Sequence, residues 1–63
     1  MAMTLKAARV NRKLGQAEAA KQIGVSLSTL SNWERGVCFP SVKYITRITE
    51  VYNVKYDDLI FLP

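Results

Sequence analysis

Residues 16–36 read QAEAAKQIGVSLSTLSNWERG, and this stretch decides the fold. Ala17 to Ile23 consists of good helix formers with no β-branched residue until Ile23. Gly24 supplies the backbone freedom that closes a helix, where φ > 0 is often required. Ser26 is a good N-cap, its hydroxyl able to accept from the free N–H groups of the next turn. Leu27 to Arg35 continues as a second helix, and Gly36 stops it. Ala19, Ile23, Val25, Leu30 and Trp33 are spaced to meet between two crossed helices. Ala20 faces the crossing point, where any longer side chain would hold them apart. Ser28, Thr29, Ser31 and Asn32 are left facing outward: short, polar and uncharged. A helix face that serves only solubility more often carries Lys and Glu. Small hydroxyl and amide groups instead allow close approach to base edges and bonding to them.

Two short helices joined by a tight turn containing Gly form a helix-turn-helix unit. Here QAEAAKQIGVSLSTLSNWERG resembles the unit of the phage Cro and repressor family, also called the Xre family. The resemblance implies an all-α, compact five-helix, lambda-repressor-like domain with the motif at helices 2 and 3. It also implies a double-stranded DNA partner, with helix 3 in the major groove. Base contacts then fall to Leu27, Ser28 and Asn32. The Asn32 amide donates and accepts together at an adenine edge, and Ser28 reads a base or touches backbone. Leu27 departs from the polar residue usual in the family; it covers a thymine methyl or marks fewer polar contacts. By the same resemblance Gln16 touches phosphate and braces the recognition helix, aided by the free N–H groups of a helix N-terminus. An arginine of helix 1 pairs in the family with a glutamate near the end of helix 3, and Arg9 and Glu34 match those positions. Gly15 stands where the family carries Thr, Ser or Asn, so the cap of helix 2 is weakened.

Further phosphate contacts are expected from Arg35, Lys43 and the N–H groups around Ser41, and phosphate or water contacts from Thr29 and Ser31. Arg12 and Lys13 either do the same or stand in solvent. The charge distribution agrees with a polyanion on one side. Residues 1–47 hold eight Lys or Arg against Glu18 and Glu34, a balance of +6, whereas residues 48–63 balance to −2.

The 63 residues make one domain, near the lower limit for folding without disulfides or metal. Hydrophobic residues at 49% suffice for a small core. No run approaches the roughly 18 apolar residues of a membrane span, and MAMTLK lacks the apolar centre of a signal peptide. A cytoplasmic location is therefore expected. Met3 is itself a plausible start, so residues 1–3 are expected to be disordered or cloning-derived. Cys38 is the single cysteine and the chain has no His, which removes intrachain metal sites and a Cys–His nucleophile. The few carboxylates fall at capping or pairing positions rather than in a cleft, so neither enzyme activity nor a cofactor is expected.

Elsewhere, Thr4 caps a helix from Leu5 to about Leu14, broken by Gly15. Pro40 holds Phe39 extended, with Phe39 as a plug into the core. Ser41 caps a helix from Val42 to about Tyr52, whose apolar stripe is Val42, Ile45, Ile48 and Tyr52. Asn53 takes the left-handed closing position, Val54 drops into the core, and Tyr56 to Leu62 forms a fifth helix. One such module covers about half a turn of DNA, so tight binding needs two copies on half-sites about one turn apart. Tyr52, Tyr56, Ile60, Phe61 and Leu62 are the expected homodimer surface. The reading is a Cro-like phage or prophage repressor. Its rival is a protein-binding module on the same fold, antitoxin or antirepressor, acting through the C-terminal face.

Overall fold

The computed structural model describes residues 2–61. In chain order it contains β1 (Met3–Thr4), α1 (Leu5–Asn11), α2 (Gln16–Ile23), α3 (Leu27–Glu34) and α4 (Val42–Tyr52). A 3-10 turn (Tyr56–Asp58) and β2 (Leu59–Ile60) follow. Among the described residues four α-helices replace the five expected. The C-terminal segment is not a helix because Lys55 provides no side-chain cap and Leu59 turns extended (φ −103°, ψ 139°). That extension buries Leu59 in the core and lays β2 parallel to β1, pairing Met3 with Leu59 and Thr4 with Ile60. Met3, expected outside the fold, is part of this sheet.

Helix α1 begins where Thr4 Oγ1 accepts from the Ala7 N–H at 3.1 Å. It ends at Asn11 rather than near Leu14, because Lys13 takes the left-handed conformation (φ 59°). Gly15 is extended (φ −74°, ψ 164°) and makes no side-chain cap to α2. The turn between α2 and α3 follows its residues closely. Gly24 is left-handed (φ 93°), its N–H donating to the Ala20 carbonyl at 2.8 Å. Ser26 Oγ accepts from the Thr29 N–H at 3.1 Å. Ala19, Ala20, Ile23, Leu30 and Trp33 are buried with Leu5, Ala8, Ile48, Tyr52 and Leu59 in one core. Val25 and Val54 pack partly buried against it.

Two expectations after α3 fail. Phe39 is 63% exposed; Pro40 takes the buried place in that loop instead. Val42 is 80% exposed, so the buried stripe of α4 narrows to Ile48 and Tyr52 with Ile45 at its edge. Ser41 occupies the N-cap position of α4 without a side-chain cap bond, and Asn53 closes the helix left-handed (φ 55°).

Candidate nucleic-acid interface

Helix α3 is held from both sides. On one side it packs on α2 through the buried Ala20, Ile23 and Leu30. On the other, Arg9 Nε donates to Glu34 Oε2 at 2.8 Å and Arg9 Nη2 to Glu34 Oε1 at 3.4 Å. Gln16 Nε2 donates to the same Oε1 at 3.0 Å, and Arg9 Nη1 to the Leu14 carbonyl at 2.8 Å. One carboxylate thus gathers α1, the start of α2 and the end of α3. The Tyr52 hydroxyl is buried near this group with no hydrogen-bond partner among the described residues. Burial pushes its pKa up to about 12; the Glu34 charge adds to the rise and Arg9 opposes it.

Beside the cluster lies an open cleft of about 430 Å³ lined by Thr4, Lys6, Gln16, Ser31, Glu34 and Arg35. Glu34 is spent on Arg9 and Gln16, so Lys6 and Arg35 set the sign of the cleft. The N–H groups of α2 ahead of Ala19 lack helical acceptors, since Ala19 is the first to donate back, to Gly15. Cationic side chains around a helix N-terminus suit a phosphate oxygen.

Along the outer face of α3, Leu27 and Ser28 are exposed, while Thr29, Ser31 and Asn32 are half-buried. The Thr29 hydroxyl lies 2.9 Å from Ser26 Oγ, so it is engaged in capping. Asn32 Oδ1 accepts from Arg35 Nη2 at 3.3 Å. Beyond this helix, Ser41 and Lys43 are exposed at the start of α4, with Lys43 Nζ 5.6 Å from the centre of the Tyr44 ring. Arg12 is exposed at the end of α1. Arg9, Gln16 and Glu34 therefore come together, as do Ser31, Arg35 and Lys6.

The expected dimer surface is only partly available. Tyr52 is 1% exposed and belongs to the core, close enough to Arg9 and Glu34 to feel their charges. Tyr56 and Ile60 are exposed, and Phe61 is half-buried with its ring 5.9 Å from Tyr56. Leu62 lies outside the described residues. Two contributors carried no signal in the sequence. Arg47 donates to the Ile23 carbonyl at 3.1 Å, tying α4 to the end of α2. Lys6 reaches the cleft because α1 is capped by Thr4, another of its lining residues.

No helix among the described residues is long and apolar enough to cross a membrane. Nor does any group of His, Cys, Asp or Glu among them suit a metal ion.

A family profile described as Helix-turn-helix matches residues 5–59. An uncharacterized HTH-type transcriptional regulator of Archaeoglobus fulgidus is 34% identical over 59 residues, which are 94% of this chain and 83% of that protein. The HTH-type transcriptional activator BcrR of Enterococcus faecalis is 31% identical over 52 residues. Those cover 82% of this chain, and the match spans only 26% of the activator's length. No solved structure gives a significant match. The matched span contains every helix described above, and the chain belongs to the Xre-type helix-turn-helix family of DNA-binding transcription regulators.

Proposed function

We propose that this protein binds operator DNA sequence-specifically as a Cro-like repressor, with α3 lying in the major groove. The observation that carries the reading is the outer face of α3: Ser28 exposed and Asn32 half-buried, with Arg35 and Lys6 lining the cleft next to it. Base contacts come from Leu27, Ser28 and Asn32. Gln16, Ser31, Arg35, Ser41, Lys43 and Arg12 hold the phosphates, and Thr29 acts mainly by completing the cap. Such backbone contacts supply affinity and register, and the base edges supply discrimination.

The longest dimension of the domain is 27 Å, less than the roughly 34 Å of one DNA turn. Two copies on half-sites a turn apart therefore fit side by side. Tyr56, Ile60 and Phe61 offer the apolar surface through which they meet. Repression in the cytoplasm of a bacterial or phage-infected cell needs only occupancy of the operator. One relative is named as an activator, so the sign of regulation is part of the test.

Selection of bound duplexes from random DNA tests the reading, followed by a reporter carrying the recovered site. A two-fold symmetric motif, lost in Ser28→Ala with Asn32→Ala, is expected, and the reporter falls. If no sequence is enriched while a partner protein is still bound through the C-terminal face, the antitoxin or antirepressor alternative replaces it.

A further inference from the structure

We infer that Arg35 sets the base preference of Asn32, turning it toward guanine. This rests on the DNA-binding reading above.

An asparagine amide that is free to turn pairs best with adenine, its oxygen accepting from N6 and its nitrogen donating to N7. Here the amide is not free. Arg35 Nη2 donates to Asn32 Oδ1 at 3.3 Å, while Asn32 Nδ2 has no partner among the described residues. The oxygen is drawn toward the C-terminal end of α3, and the amino group is left as the side chain's available donor. One lone pair of Oδ1 remains, yet the guanidinium charge beside it repels the N6 amino group of adenine. The same charge attracts the O6 and N7 acceptors of guanine, which arginine itself favours. Both groups of the pair thus prefer the same base.

Three features of the chain keep the pair in place. Arg35 follows Asn32 by three residues, so both stand on one face. Its backbone N–H donates to Ser31 at 3.0 Å, fixing the residue at the end of α3. Its carboxylate neighbour Glu34 is occupied by Arg9 and Gln16, so no acidic group competes for the guanidinium there. Arg35 is a positioning residue for Asn32, separate from any phosphate it touches.

The test is selection from random duplex DNA with the wild type, Asn32→Ala, Arg35→Met and Arg35→Lys. The position flattened by Asn32→Ala is the one Asn32 reads. The wild type is expected to favour guanine over adenine there by about tenfold, the scale of one good base contact. Arg35→Met is expected to shift that one position toward adenine. Arg35→Lys, which keeps the charge but not the planar fork, should recover guanine only in part. Uniform weakening in Arg35→Met with guanine retained overturns the inference, because Arg35 then acts on phosphate alone. Adenine preferred by the wild type overturns it as well, leaving DNA binding intact. Enrichment of no motif by the wild type sinks both readings together.

Discussion

Arg9 and Glu34 close a buried ion pair between α1 and α3, with Nε and Oε2 2.8 Å apart and the two side chains 10% and 4% exposed. Glu34 also accepts from Gln16, so loss of the carboxylate strands two donors at once. Breaking a buried pair from one side costs about 3 kcal/mol or more. Glu34→Ala is expected to lose that much in urea unfolding. Arg9→Met combined with Glu34→Leu should lose clearly less than either single change to alanine, because no charge is left buried alone. Equal losses would mean that the two residues do not act as a pair.

Gly15 invites a gain. Its backbone is extended at φ −74°, and a Cβ placed there meets nothing within 4 Å. Gly15→Ser should therefore cap α2 and stabilise the fold by about 0.5 kcal/mol. In a domain of this size that corresponds to about 2–4 °C in Tm, which calorimetry resolves. A drop in Tm would show that the site tolerates no side chain.

Gly24 is the opposite case. It holds φ 93°, and an added Cβ would lie 2.8 Å from Arg47 Nη1. Gly24→Ala then carries both left-handed strain and a displaced guanidinium that no longer reaches the Ile23 carbonyl. A loss of about 1–2 kcal/mol is expected in denaturant unfolding. In Arg47→Ala the steric part of that loss should be relieved, so the two changes together should cost less than their sum.

The Tyr52 hydroxyl is buried without a partner among the described residues. Tyr52→Phe should accordingly be neutral or stabilising near pH 7. The phenol's pKa is raised from 10 to about 12 by burial first and Glu34 second. Folding thus favours the neutral phenol, a contribution fully present below pH 10 and lost as pH climbs through 12. Between those limits the wild type should lose up to about 2 kcal/mol relative to Tyr52→Phe. Parallel pH profiles of the two proteins that stay together from pH 10 to 12 would contradict this.

The helices that build the interface were readable because each boundary had a local chemical cause. Gly24 and Ser26 mark the turn, and the alanines at 19 and 20 mark the crossing. Misreadings arose where distant contacts outweighed local pattern. Helix α1 stops on a left-handed Lys13, a residue without that preference, rather than on Gly15. Tyr52 belongs both to the apolar stripe of the fourth helix and to the expected dimer surface when read from sequence; only the first holds, because its side chain is buried in the core. Tyr56 to Leu62 reads as a helix, but within it Leu59 and Ile60 pair with a strand more than fifty residues earlier. The Arg35–Asn32 bond was within reach of the sequence from their spacing alone; its consequence for base choice was not.

That strand pairing bears on how the protein is made. Met3 cannot meet Leu59 until residues 1–59 have all been synthesised. The first turn of α1 emerges early but gains its final neighbour last. The four helices lie between the two strands in the sequence, so the β1–β2 pairing closes a loop that contains all of them.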